Sequence, residues 1–296
     1  MFNNLSKRDK KKLITAILSI AVILFCIVFK LYEAYEYNKF ADGEHGYIHF
    51  IDAGQGDCTL IQTKDGKFAV IDASTQDAAD KITDYLKSRN VKELEFILFT
   101  HPHEDHIGCG DELIKEFKVK TVYMNKVVQN TAAYNNVLEA VKDSKSKHGT
   151  KLLSPSVGDT ITLSDMEFTV ISDGSRYSDN INNSSICVRL EYGDSSFLFT
   201  GDAEKEVEKD MLKSGFELDS DVYHCAHHGS STSNSDKFLD EISPDICIIS
   251  CGKDNSYGHP HTEVSDALDE RHIEVYRTDK HGDIVIAFDK KSIYVL

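Results

Sequence analysis

His101-Pro102-His103-Glu104-Asp105-His106 gathers three imidazoles and two carboxylates into six consecutive positions. It follows Phe96 to Thr100, an apolar stretch that predicts a buried strand. Side chains at a strand end and in the turn after it can converge on one point. That places His101, His103, Asp105 and His106 to hold metal. From an extended segment His101 and His103 point the same way, while Asp105 and His106 turn back to form a second group, so one hexapeptide can serve two ions. Imidazole combined with carboxylate suits zinc, manganese or iron rather than a thiolate-preferring metal.

Outward from this run, strands alternate with helices. Tyr47–Ile51, Cys58–Gln62 and Phe68–Ile71 read as strands, the last two joined by the hairpin signal Lys64-Asp65-Gly66-Lys67. Ala78, Ala79, Ile82, Tyr85 and Leu86 fall at helical spacing, and helical segments are expected around Leu113–Phe117 and Val137–Val141. A second half opens near Thr160 with strand-like runs at 161–163, 168–171, 186–191 and 197–200. Helices near 204–213, 235–242 and 263–271 then alternate with strands at 222–225, 246–250, 274–277 and 283–288. Two halves of strands followed by helices suggest an α/β fold of two packed sheets with helices outside, a four-layer αββα sandwich, an order that other mixed folds also fit. No short-period repeat is present, which excludes a solenoid.

The first thirty residues stand apart. Lys7, Arg8, Lys10, Lys11 and Lys12 give residues 1–12 a basic flank, and the stretch from Leu13 to Phe29 has no charge. Residues 13–32 therefore read as a single transmembrane helix; a cleaved signal peptide is the competing reading, but no small-residue cleavage pattern stands before Tyr32. The basic flank belongs in the cytoplasm, which puts the domain at 45–296 outside it, behind a polar linker at 33–44. Residues 45–296 hold 26 Lys and Arg against 44 Asp and Glu, a formal charge of −18. Such a field repels long polyanions at low salt unless a local basic patch or bound metal offsets it. The seven cysteines form no CxxC pair, so neither a zinc knuckle nor a disulfide framework is indicated.

The HxHxDH run after a strand resembles the signature of the metallo-β-lactamase fold hydrolases, and the resemblance extends over roughly residues 46–296. Asp72, after the strand Phe68–Ile71, resembles that family's aspartate bracing the metal loop. Asp202, in Phe199-Thr200-Gly201-Asp202, resembles the carboxylate that bridges two metals. His227-His228-Gly229-Ser230, after Val222–Cys225, matches the late histidine motif, with either imidazole open as the ligand. A narrower likeness rests on Asp52-Ala53-Gly54-Gln55-Gly56-Asp57, Asn182-Asn183 before Ser184, Tyr257-Gly258-His259-Pro260-His261 and Arg277-Thr278-Asp279. Together these resemble the extracytoplasmic hydrolase domain of ComEC competence proteins, a family linked to DNA uptake. The likeness covers the hydrolase module and not the multi-span channel.

The resemblance implies two divalent metal ions, zinc or manganese, sharing Asp202. The wider family has a third histidine between HxHxDH and the bridging aspartate, where this chain has only His148; Asn183 or Ser184 is expected in its place. His101, His103 and Asp202 would then hold the first ion, and Asp105, His106, Asp202 and one of His227 and His228 the second. Ions so held would lower the pKa of a bound water toward neutral, which would supply hydroxide for in-line attack on phosphorus. Phosphodiester hydrolysis is the implied reaction, with Asp105 at its centre and DNA the substrate by resemblance. A phosphorylcholine esterase acting on cell-wall polymer is the alternative, and the charge of −18 fits it at least as well. A metal-binding module without activity is a further possibility. His259 and His261 are expected to contact phosphate or protonate the leaving group, or else to build a turn around Pro260. Gln55 and Asp57 are expected to line the pocket between tight glycine turns, and Tyr257 to meet substrate. Ser230 is expected either to orient a metal histidine or to cap the next helix, and His224 to be a core residue.

Overall fold

The computed structural model describes residues 6–40, 43–177 and 179–296, without the side chains of residues 9 and 29–40. Residues 1–5 of the expected flank and 41–42 of the expected linker lie outside the described residues. The chain divides into two units, Met1–Glu44 with Leu296, and His45–Val295.

The first unit is helix α1 (Lys7–Phe40). Within it Lys10–Val28 is long and apolar enough to cross a membrane, by length and composition, and none of it is buried. The helix continues through residues 33–40, where the sequence predicts a tether; no Gly or Pro interrupts that stretch.

In the second unit, β1 (Gly46–Phe50), β2 (Thr59–Gln62), β3 (Phe68–Ile71), β4 (Glu93–Leu98), β5 (Lys118–Tyr123) and β6 (Lys151–Leu153) join one sheet. The other sheet takes β7 (Thr160–Leu163), β8 (Met166–Asp173), β9 (Ile186–Tyr192), β10 (Ser195–Phe199), β11 (Val222–His224), β12 (Ile246–Ile249) and β13 (Glu274–Arg277). Each sheet opens with antiparallel strands and continues with parallel ones, β3 to β6 and β10 to β13. Parallel neighbours need a crossover, and helices supply most of these. Strands β5, β6 and β15 (Ile293–Val295) add to those expected. The final hairpin of β14 (Ile284–Phe288) and β15 also departs from the order of halves: it returns to the first sheet and pairs with β1, Gly46 opposite Phe288. There it delivers Ile284, Ile286 and Phe288 to the space between the sheets.

Three apolar clusters account for four layers. Phe50, Phe96, Leu98, Phe168, Phe197, Phe199 and Phe288 fill the gap between the sheets. Val70 and Ile97 face outward beneath α2 (Ala79–Ser88), α3 (Glu104–Ile107), α4 (Gly110–Glu116) and α5 (Ala132–His148), meeting Ile82, Leu86, Ile107, Leu113 and Val137. Leu198, Cys247 and Ile249 do the same beneath α6 (Lys205–Met211), α7 (Asp236–Ile242) and α8 (Thr262–Glu270). Alternate residues of a strand point to opposite faces, so a sheet covered on both sides needs apolar runs such as Phe96-Ile97-Leu98 in β4 and Phe197-Leu198-Phe199 in β10. Cys58, Cys109, Cys187, Cys225, Cys247 and Cys251 are buried and free. The loops after β4 and β10 reach a common edge, where His101 and Asp202 stand 3.5 Å apart.

Candidate metal centre

The centre is built from Asp72 outward. This residue ends β3 in the left-handed region, with φ +58°. Its carboxylate accepts hydrogen bonds from the Thr100 amide at 2.7 Å and the Thr100 hydroxyl at 2.7 Å. It also lies 2.8 Å from Nδ1 of His106. With Nδ1 protonated toward Asp72, Nε2 of His106 turns its lone pair inward, as a carboxylate behind a metal-binding imidazole arranges. That nitrogen meets Oδ1 of Asp202 at 3.1 Å. Both atoms are buried and neither has a hydrogen-bond partner among the described residues. Converging lone pairs of this kind fit a cation.

Asp202 divides its two oxygens. Oδ1 faces His106 and, at 3.9 Å, Nε2 of His228. Oδ2 faces His101 Nε2 at 3.5 Å and His227 Nε2 at 3.6 Å. Burial opposes charge on this carboxyl, but His106, His101 and His228 outweigh it and hold Asp202 well below the usual carboxylate range. Burial, with His106 beside it, pushes His101 well below the usual imidazole range, which keeps it neutral and ligand-competent.

His227 and His228 diverge because the backbone turns through left-handed conformations at both, φ +53° and +54°. Gly229 follows at φ +82°, where a Cβ would lie 2.5 Å from Cβ of Pro260. Successive strained residues of this kind persist only where the surroundings hold them. His228 is held by Nδ1 on the Ser250 carbonyl at 3.0 Å and brings Nε2 to 3.2 Å from Asp105 Oδ2. His227 is held by Nδ1 on the Thr232 hydroxyl at 3.1 Å. Among the described residues three donor groups lie close enough to share an ion: Asp57 with Asp72 and His106 behind the site, and, toward the cavity, His101 with His106 and Asp202, and Asp105 with His106 and His228. The latter two overlap at His106, whose single inward nitrogen makes them one continuous cluster.

A cavity of about 270 Å³ opens over this cluster, lined by Gln55, His103, Glu104, Asp105, Asn182, Asp202, His227, His228, Tyr257 and His259. Gly56, at φ +149°, lets the loop from Gln55 approach closely, since a Cβ there would lie 2.6 Å from the Asp105 carbonyl. Burial, then His228, His227 and His261, pull His259 down to about 4.

The sequence profile of the Metallo-beta-lactamase superfamily matches residues 51–253. The chain belongs to this superfamily. It is 30% identical over 256 residues to ComE operon protein 3 of Bacillus subtilis, covering 81% of this chain and 32% of that protein. It is 28% identical over 244 residues to Competence protein ComA of Neisseria gonorrhoeae, covering 82% and 32%. The chain thus spans about a third of the length of these relatives. Among solved structures, the metallo-beta-lactamase fold protein YhfI from Bacillus subtilis superposes with a TM-score of 0.53 at 14% identity, over 82% of this chain and 99% of that one.

Within this metallo-beta-lactamase superfamily site, several residues lie away from where the sequence suggested. His261 does not line the cavity. Its Nδ1 accepts from the Ser231 amide at 2.9 Å and its Nε2 donates to the Tyr257 carbonyl at 3.2 Å, so both ring nitrogens are committed to the turn. Asn183 and Ser184 do not reach the donors either. Asn183 Oδ1 accepts from the Glu204 amide at 2.8 Å, and the Ser184 hydroxyl donates to the Ile181 carbonyl at 2.6 Å. Their neighbours face inward instead: Asn182 Nδ2 is 3.4 Å from His227 Nε2, and Ser185 Oγ is 3.3 Å from His101 Nδ1. Asp57 sits behind His228 rather than in the cavity wall, 3.3 Å from its Nδ1, with His224 a further 3.8 Å from Asp57. Ser230 caps no helix, since α7 begins after Ser235; its hydroxyl accepts from the Thr232 amide at 3.3 Å and so steadies the residue that holds His227. His148 ends α5, exposed. Glu104 joins the lining although it carries no ligand role in the HxHxDH pattern.

Proposed function

We propose that this metallo-hydrolase is a membrane-anchored phosphodiesterase that cleaves nucleic acid outside the cytoplasm. The observation that carries the reading is the divided carboxylate of Asp202, one oxygen toward His106 and the other toward His101. The donor set fits two divalent ions, zinc or manganese: His101, His103 and Asp202 would hold one, and Asp105, His106, Asp202 and His228 the other. His227 stands on the His101 side and takes the part of the family's third histidine. When bound, such ions activate water and neutralise charge on a phosphoryl group.

The chain's own residues supply the rest. Asp72 fixes the tautomer of His106, and Asp57 with the Ser250 carbonyl orients His228. His259 stands in the cavity wall, its Nδ1 buried and unpartnered among the described residues, and its ring is the group proposed to meet an oxygen of the diester. Gln55 and Asn182 offer amide groups along the same wall. Residues 13–32 cross the membrane, with the basic flank in the cytoplasm. Nucleic acid as substrate is supported by the likeness to the competence proteins. A phosphorylcholine-bearing wall polymer is the second reading, favoured by the charge of −18 on residues 45–296 and by Glu104 in the lining.

The test uses the purified full chain in detergent at physiological salt, offered single-stranded DNA, duplex DNA and phosphorylcholine-bearing polymer. DNA cleavage should be abolished by chelation and by Asp105→Ala or Asp202→Ala, with the fold retained by circular dichroism. Unchanged rates in either variant, or turnover of the polymer alone, would remove the proposal.

A further inference from the structure

Tyr257 is 65% exposed and lines the same cavity as Asp105, Asp202 and His228. Its ring lies on His259, centroids 5.6 Å apart and planes inclined by 22°. His259 in turn stands 6.0 Å from the His228 ring. The stack leads from the donor cluster to the exposed ring of Tyr257, which rests against the imidazole of His259 and keeps most of its surface accessible.

The loop that presents this ring is pinned. Asn255 Nδ2 donates to the Gly252 carbonyl at 2.9 Å and the His259 carbonyl at 2.7 Å, and Asn255 Oδ1 accepts from the His259 amide at 2.9 Å. Gln55 Oε1 accepts from the Gly252 amide at 3.0 Å, and His261 Nε2 holds the Tyr257 carbonyl itself at 3.2 Å. An exposed aromatic on so constrained a loop keeps its position without a partner, which lowers the entropy lost on binding one. No Lys or Arg is among the described residues lining this cavity. Affinity beyond that supplied at the donor cluster must therefore come from hydrogen bonds and ring contacts.

We infer that Tyr257 is a platform on which a planar ring of the substrate stacks, a nucleobase adjoining the reacting phosphate. The inference rests on the phosphodiesterase reading above. A quaternary ammonium headgroup is the competing occupant, but such cations are typically recognised by cages of several aromatic rings. A single exposed ring backed by an imidazole suits a flat partner instead. Every base has a π face, so the platform tolerates any sequence and favours strands whose bases are already unstacked.

The test compares two single-stranded oligonucleotides of equal length, one with bases throughout and one abasic at the nucleotides flanking the central phosphate. Binding to the full chain in detergent is read in chelator, by quenching of a central 2-aminopurine and by competition, so that turnover plays no part; cleavage with Mn²⁺ is read separately. Tyr257→Ala should weaken binding of the base-bearing strand about tenfold, and Tyr257→Phe should restore it. The abasic strand should bind the wild type only as well as the base-bearing strand binds Tyr257→Ala. Equal losses on both strands, or a choline diester that binds in preference to the oligonucleotide and loses that preference in Tyr257→Ala, would overturn the inference. Quenching that depends on Tyr257 without any cleavage would uphold the platform while overturning the nuclease reading.

Discussion

Oδ1 of Asp202 and Nε2 of His106 face each other across 3.1 Å, both buried and neither with a geometrically formed hydrogen bond among the described residues. Leaving such groups unpaired costs roughly 1–3 kcal/mol each, more when one is charged. An ion between them would remove that cost. The same carboxylate sends its other oxygen toward His101 and His227, so the two halves of the HisHis pair serve different sides of one bridge.

Metal content should separate those two histidines. His228→Ala is expected to leave about one ion per chain by mass spectrometry, because it removes a partner of Asp105 as well as a donor. His227→Ala should weaken only the ion on the His101 side, by at least about tenfold in chelator competition. Wild-type affinity for both ions in His227→Ala would assign that residue to substrate instead.

Asp72→Asn replaces an acceptor by an amide facing the Thr100 amide, the Thr100 hydroxyl and His106. Metal affinity should fall about 10- to 100-fold, with stability lower by roughly 1–3 kcal/mol in urea titration. Unaltered affinity would show that His106 needs no brace.

His259 and His261 should behave differently although one residue separates them. His261→Ala is expected to cost about 1 kcal/mol of stability, through the Ser231 and Tyr257 contacts it loses, while the pH profile of kcat keeps its midpoints. His259→Ala should lower kcat by about 100-fold or more if the ring carries a proton in the reaction. A shifted profile in His261→Ala would return that residue to the chemistry.

A pH effect on stability should come from His49, far along the chain from the donor cluster. This imidazole is fully buried, and desolvation with Arg89 nearby lowers it to about 3. The unfolded chain takes up the proton near pH 6.5, the folded chain only near 3, so between those values the unfolded state binds more protons and stability rises with pH. The full contribution is present above about pH 6.5 and declines as pH falls toward 3. Going from pH 7 to pH 4, roughly 3 kcal/mol should be lost through this group. His49→Gln should flatten that part of the urea-midpoint profile, and an unchanged slope would refute the assignment.

Much of the fold was legible because each strand buried on both faces needs a continuous apolar run, as in Phe96–Thr100, and each covering helix needs a stripe such as Ile82 and Leu86. The final hairpin was not, since Ile284–Phe288 reads as a strand in any sheet and its apolar residues suit either side of the sandwich. The HxHxDH run announced its chemistry because five donor-bearing side chains crowd six positions. Asn182 to Ser185 announced only polarity. Which of those four faces the donors depends on a single turn of 3-10 helix, and rotation by one residue exchanges Asn183 for Asn182.

Composition and order alone determined the strand and helix types, the donor types and the candidate span at the N-terminus, because these follow from periodicity, side-chain chemistry and apolar length; the layering they suggested took the HxHxDH resemblance to select. Only the tertiary structure decided that His227 and His228 part onto opposite oxygens of Asp202, and that His261 turns away from the cavity that His259 lines. Those choices are made by backbone torsions, left-handed at both residues of the pair, and by hydrogen bonds to Thr232, Ser250, Ser231 and Tyr257. Neighbours in a chain share a location, but the direction of each side chain is set by contacts from segments distant in sequence.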